Sequence, residues 1–116
     1  MDLAEFYRNM GMDSRQIVCR FQSEKRVLHY LQQFLLDPEY LRLARSIQQD
    51  DFAGAYHAAH ALMGLCQNLS LTPLQLSCSR LMQALREDVS HASVASLFAH
   101  VAADYKKTAD AIRSLQ

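Results

Sequence analysis

Two histidines three residues apart, His57 and His60, are the side chains best suited to chemistry in this chain. They lie in an alanine-rich stretch whose apolar spacing predicts one helix, from about residue 51 to residue 69. Gly64 follows His60 by one helical turn. Because a glycine inside a helix costs about 1 kcal/mol relative to alanine, its presence needs a reason. Open access to the His60 ring from the Gly64 side would be such a reason.

The predicted helix has a buried face and an exposed stripe, since successive residues turn by about 100° around its axis. The residues expected to be buried are Phe52, Tyr56, Ala59, Met63, Cys66 and Leu69. The neighbouring stripe, at the edge of that face or beyond it, consists of Ala53, His57, His60, Gly64 and Gln67. The helix therefore buries one side and presents imidazoles on another.

Exposed imidazoles have several uses. His57 and His60 have a spacing that can hold one metal ion, but no carboxylate shares their stripe, so we expect no metal site. General acid–base catalysis would require a carboxylate or a nucleophile nearby in a pocket, and none is evident. Both histidines could simply occupy a solvated face. Finally, neutral imidazole is a good nucleophile near pH 7, and a ring nitrogen can carry a phosphoryl group.

A phosphoryl-carrying histidine has its own structural requirements. It must be exposed, because donor and acceptor proteins reach it in turn, and the partner brings the metal ion and the aspartate. It benefits from a small neighbour that leaves access, and from a cation near the phosphate. His60 with Gly64 meets the first two requirements.

Composition excludes several classes of function. The formal net charge of zero lacks the basic excess expected of a nucleic-acid binder. No apolar run approaches the roughly 20 residues of a membrane span, and the start lacks the pattern of a secretory signal. Cys19, Cys66 and Cys78 have no CxxC spacing, so we expect no zinc, small buried thiols and a reducing, cytoplasmic location.

Helical periodicity throughout the 116 residues predicts an all-α, single domain spanning 1–116. Short loops make consecutive helices antiparallel. We therefore expect an antiparallel four-helix bundle over 23–116, with short additional helices in 1–22 packed on or near its end. The predicted helices cover Leu3–Met10, 13–21, a segment from Ser23 to Asp37, Pro38–Gln49, 51–69, Thr72–Glu87 and a last helix opened by Ser90.

Local details of these helices are also predicted. Asp13 and Ser23 are expected to cap the helices that they open, and Asp50-Asp51 the histidine-bearing helix. Asp37 is expected to cap a helix whose first residue is Pro38, and Leu41 to be buried with Ala44 and Ile47. Thr72 is expected to open a capping box. The last helix carries a narrow apolar seam that closes within one chain or pairs with a second; we expect a monomer.

The stretch 59–64, Ala-His-Ala-Leu-Met-Gly, followed by small residues near 68–74, resembles the histidine phosphotransfer (HPt) domains of bacterial phosphorelays. Their core motif reads H-x-L-K-G, with a loop of small residues about ten positions on. The resemblance covers most of the chain and implies a four-helix bundle, a phosphate-accepting histidine and receiver-domain partners. It makes His60 the acceptor and leaves His57 as a surface bystander.

The chain departs from the family pattern where phosphate would be held. Met63 stands in place of the family lysine, and Ser70 replaces a frequent glycine in the turn. Losing a hydrogen bond to a charged group costs about 1.5–3 kcal/mol, or about 10- to 100-fold in rate if fully expressed.

On the following helix the family often places a polar residue where this chain has Met82, with Gln83 and Arg86 close by. Arg86 is the first candidate to replace the missing charge and Arg80 the second. Supporting roles are therefore expected of Gly64, Met63, Gln67, Gln83 and Arg86.

Two functions follow from the resemblance. The first is a phosphocarrier, rather than a true enzyme and without kinase catalytic motifs, that moves phosphate between receiver aspartates or a kinase. It needs no cofactor of its own, because Mg²⁺ is expected on the receiver. The second is a degenerate module that docks receivers or kinases without carrying phosphate. Under either function, docking is expected on a strip of seven residues, Ala53, Tyr56, His57, Ala61, Gly64, Leu65 and Gln67.

Overall fold

The computed structural model describes residues 1–87 and 90–115, and these contain seven α-helices and no strand. The helices are α1 (Leu3–Arg8), α2 (Ser14–Phe21), α3 (Glu24–Leu36), α4 (Glu39–Gln48), α5 (Phe52–Leu69), α6 (Thr72–Arg86) and α7 (His91–Arg113). The predicted all-α class is confirmed. Within the described ranges, no helix is both long enough and apolar enough to cross a membrane.

Helices α4, α5, α6 and α7 pack in chain order, and α5 lies between α4 and α6. The short loops between consecutive helices make each an antiparallel neighbour of the next. Helix α3 contacts α5 and α7, and α4 also contacts α7, so α3 and α4 together form the fourth wall. The predicted four-helix bundle is confirmed, and the histidine-bearing α5 is one of its central elements.

Aromatic rings close the fourth wall against α7. The rings of Tyr40 and Tyr105 are parallel, with centroids 3.9 Å apart. The ring centroid of Phe34 lies 5.9 Å from that of Tyr105, and the ring centroid of Phe98 lies 6.2 Å from that of Tyr40. Partial burial raises the pKa of both tyrosines. These stacked rings fix the rotation of α4 about its axis, because Tyr40 must face α7.

Four helices begin at the caps that the sequence predicts. The side chains of Asp13, Ser23, Asp51 and Ser90 each accept a hydrogen bond from a backbone N–H of the following turn. Such bonds satisfy donors that have no partner inside the helix, typically stabilising it by about 1 kcal/mol.

Two other helix starts differ from the prediction. Helix α4 begins at Glu39 with Pro38 at the cap position, although the Asp37 carboxylate still accepts from the Glu39 N–H at 2.9 Å. The predicted capping box at Thr72 is wrong, because Leu71 holds the cap position and makes no side-chain cap bond. The Leu71 side chain is fully buried and its N–H ends the preceding helix, which moves the boundary one residue earlier.

On α4 the predicted inward position of Ile47 is confirmed, Ala44 is half-buried, and the predicted burial of Leu41 is wrong. Leu41 is 60% exposed, whereas Leu43 is fully buried. Tyr40, Leu43 and Ile47 form the inward stripe, because the Tyr40–Tyr105 stack sets the helix rotation.

On α5 the buried arc is wider than predicted. Ala55, Ala58 and Leu62 are buried along with the predicted Ala59, Cys66 and Leu69, while Phe52, Tyr56 and Met63 are only half-buried. The arc widens because α5 packs against α4 on one side and α6 on the other. Among the thiols, Cys66 and Cys78 are buried as expected, and burial raises the pKa of each, but Cys19 is exposed.

Helix α5 ends in a left-handed residue, Ser70, with φ of 56°. The Leu71 N–H donates to the Cys66 carbonyl at 2.8 Å, and the Ser70 N–H donates to the Gln67 carbonyl at 3.3 Å. This pair of bonds is a Schellman arrangement, which satisfies two of the four carbonyls that a helix end leaves without partners.

The N-terminal helices satisfy the other two carbonyls. Arg20 of α2 donates through Nη1 to the Asn68 carbonyl at 2.6 Å, and Tyr7 of α1 donates through its hydroxyl to the Leu69 carbonyl at 2.8 Å. Tyr7 is fully buried, and burial raises the pKa of its phenol above the usual range. Helices α1 and α2 are therefore bonded to the end of the histidine-bearing helix.

We expect Tyr7→Phe to lower the free energy of unfolding by about 1–3 kcal/mol, because it leaves a buried carbonyl without a donor. Urea titration followed by circular dichroism measures the change. Tyr30→Phe is the matched control, because that tyrosine is 44% exposed. Equal stability of the two variants would show that the Tyr7 bond does not hold α1 to α5.

Candidate functional site

The exposed stripe of α5 contains the candidate acceptor. Ala53, His57, His60, Gly64 and Gln67 are all exposed, as their spacing predicts. His60 lies near the middle of the helix, away from both ends of the bundle. Its imidazole is therefore accessible to a second protein from outside.

The half-buried Tyr56 lies beside His60, one turn earlier on α5. The two rings are nearly parallel, at 7°, with centroids 6.4 Å apart, which is within the range of offset aromatic pairs. His57 meets the same tyrosine edge-on at 5.9 Å. Tyr56 therefore forms a ring surface against which both histidines lie.

A cation from the neighbouring helix lies on this tyrosine. The Cζ atom of Arg86, near the end of α6, is 5.9 Å from the Tyr56 ring centroid, a cation–π distance. Arg86 therefore contacts Tyr56, the residue that lies beside His60 one helical turn earlier.

Met63 and Met82, which the sequence comparison with the family motif singled out, pack inward. Met63 is half-buried against the core, and Met82 is only 5% exposed. Gln83 is exposed, and its amide donates to the Glu87 carboxylate at 3.2 Å. Arg80 is exposed on α6. Among these replacements, Arg86 is the one whose contacts lead to the His60 surroundings.

The remaining docking candidates divide into two kinds. Ala61 is exposed, whereas Leu65 is half-buried and packs against the core. Leu65 therefore contributes an apolar edge to the strip rather than a protruding side chain.

A groove between α4 and α5 opens beside the histidines and was missed at the sequence level. It is lined by Glu39, Arg42, Arg45, Ser46, Gly54, His57, Ala58 and Ala61. The spacing of Arg42 and Arg45 placed them near each other on α4, but nothing local indicated that they face the His57 side of α5. Across residues 1–87 and 90–115, no cluster of three or more metal-ligating side chains is found.

Comparison with known families gives one match. A family model described as the Hpt domain matches residues 27–114, from α3 to the end of α7. Comparisons with curated proteins and with solved structures gave no match.

The two glycines of α5 occupy different surroundings. A Cβ atom at Gly64 would have no heavy atom within 4 Å, so the fold does not require a glycine there. A Cβ at Gly54 would overlap the Asp51 carboxylate, which caps α5 by accepting from the Gly54 N–H at 2.9 Å.

We therefore expect Gly64→Ala to raise the free energy of unfolding by about 1 kcal/mol through helix propensity. Gly54→Ala should gain nothing, because displacing the Asp51 cap costs about 1 kcal/mol and offsets the same propensity term. Paired urea titrations measure the difference. A Gly64→Ala variant no more stable than Gly54→Ala would contradict the open surroundings of Gly64.

Proposed function

The chain belongs to the Hpt domain family, and on that premise we propose that it is a phosphocarrier whose acceptor is His60. The family is one of phosphotransfer modules in two-component signalling, which interact with receiver domains and kinases. The observation that carries the assignment to His60 is its exposed imidazole, one turn before a glycine with open space around it.

The proposed reaction uses this chain as a nucleophile and a docking surface. A ring nitrogen of neutral His60 attacks the phosphorus of a receiver's aspartyl phosphate, forming an N–P bond. The P–O bond to the aspartate breaks, and the carboxylate leaves with the electron pair. The reverse step returns the phosphoryl group to another aspartate. The receiver supplies the Mg²⁺, so this chain needs no cofactor of its own.

Electrostatic support for the phosphoryl group is proposed to come from Arg86. Met63 offers no charge, and its side chain is half-buried. The Arg86 guanidinium already lies over the Tyr56 ring, which stacks on His60. Moving it toward a phosphate on His60 exchanges a cation–π contact for a charge-assisted hydrogen bond, the stronger of the two at an exposed site.

A second candidate function is a module that docks receivers or kinases without carrying phosphate. The observation that favours it is the apolar character of Met63 and Met82, which both pack inward where the family places polar groups. The two functions share a docking surface and differ only in whether His60 becomes phosphorylated.

Mixing the purified chain with a phosphorylated receiver domain and Mg²⁺ is expected to transfer label to this protein. The label should be acid-labile and base-stable, as expected of a phosphoramidate, and absent from His60→Gln. His57→Gln is the matched control and should retain the label. Absence of label with several receivers, at least one of which binds, would leave the docking module as the function.

Met63→Lys is expected to raise the transfer rate by about 10-fold, because one charge-assisted hydrogen bond contributes roughly 1.5–3 kcal/mol. Lysine can keep its stem against the core and extend its ammonium group outward. Arg86→Gln should slow transfer by about the same factor, and Arg80→Gln serves as its control. Rates are measured by rapid-quench labelling. If Arg86→Gln transfers as fast as the natural chain, Arg86 does not support the phosphate.

A further inference from the structure

The groove between α4 and α5 has a volume of about 520 Å³ and two unlike walls. The α5 wall is built of the small residues Gly54, Ala58 and Ala61, which keep it open. The α4 wall carries two guanidinium groups, those of Arg42 and Arg45. Small residues facing long cations leave room for an incoming side chain or segment.

The charge in this groove is mostly positive. Arg42 bonds through Nη1 to Glu39 Oε1 at 2.8 Å, so part of its charge is balanced. Arg45 is exposed and forms no ion pair within the described ranges. His57 adds a third nitrogen-bearing side chain on the opposite wall. The groove therefore suits an anionic group.

The groove is continuous with the acceptor surface. His57 and Ala61 line it, and both are exposed residues of α5 beside His60. Arg86 lies on the other side, over Tyr56. Cationic side chains therefore lie on both sides of the acceptor surface, from α4 across the groove and from α6 over Tyr56.

This inference rests on the proposed function, because the partner considered is a receiver domain. Such a partner carries an acceptor aspartate and holds Mg²⁺, a cation that prefers carboxylate oxygens. Carboxylates near that site, beyond those that hold the metal, would be attracted to the two arginines of the groove. We propose that the α4–α5 groove binds an acidic segment of the receiver, with Arg45 and Arg42 pairing with carboxylates so that the receiver's aspartate faces His60.

Glu39 has a defined effect in this arrangement. Its carboxylate competes with the incoming segment for Arg42, and its side chain is only 20% exposed. Removing that charge should free Arg42 and strengthen binding. We therefore expect substitutions of Glu39 and of Arg42 to change the affinity for the receiver in opposite directions.

The test titrates the full chain with a receiver domain and measures Kd at several salt concentrations. At low salt, Arg45→Ala should weaken binding about 3-fold and the Arg42→Ala/Arg45→Ala double variant about 10-fold, with a reduced salt dependence. Glu39→Gln should strengthen binding about 2-fold. Lys25→Ala, on the exposed side of α3, is the matched control and should leave Kd unchanged. Circular dichroism confirms that each variant is folded.

Labelling His60 with the small phosphodonor phosphoramidate separates this inference from the proposed function. The arginine variants should accept label from phosphoramidate at the normal rate, because that donor has no segment to dock. If no donor labels His60, the phosphocarrier proposal fails while the Kd values still test the groove. Arginine and glutamate variants that bind the receiver as tightly as the natural chain would overturn the groove proposal.

Discussion

The end of α5 is the constraint on which the arrangement of this protein depends. A helix leaves its last four carbonyls without internal partners, and a buried carbonyl without a donor is costly. Here a Schellman turn supplies two donors, and Arg20 and Tyr7 supply the others. Because the helix end is fixed, so is the acceptor candidate: His60 lies nine residues before Leu69, about 14 Å along the axis at 1.5 Å per residue.

Helix α5 has a buried arc that includes small side chains and an exposed stripe that carries the histidines. Alanines at 55, 58 and 59 allow the neighbouring helices to approach closely, and Leu62 and Cys66 continue the buried arc. The exposed stripe beside this arc contributes less to packing, and at Gly64 an added Cβ would meet no heavy atom within 4 Å. A helix of this kind can accept changes on its exposed stripe without loss of the fold, which leaves that stripe free to serve recognition.

Sequence patterns predicted the structural features that depend on residues close together in the chain. The extent of α5, its exposed stripe and caps such as Asp51 and Ser23 follow from local spacing and residue type. The Tyr7–Leu69 bond joins residues 62 apart and has no local signal. The inward face of α4 depends on the stacking of Tyr40, a tertiary contact, so periodicity alone misplaced it.

The same distinction applies to the candidate site. The exposure of His60 is a property of one helix face, and the spacing along α5 predicted it. The inward packing of Met82 was not predicted. The groove with Arg42 and Arg45 could not be predicted from the sequence, because it depends on how α4 is rotated against α5. The role of His60 stays a prediction, because accepting phosphate is a property of a reaction with a partner rather than of a fold.

The bonds between the N-terminal helices and the end of α5 show that the family match and the bonded structural unit begin at different residues. The family match begins at residue 27, after both Tyr7 and Arg20. A fragment cut at that residue would contain the whole recognised module and yet lose two of the donors that close its central helix. A segment that keeps both donors must therefore include α1, which starts twenty-four residues before the point where the family likeness starts.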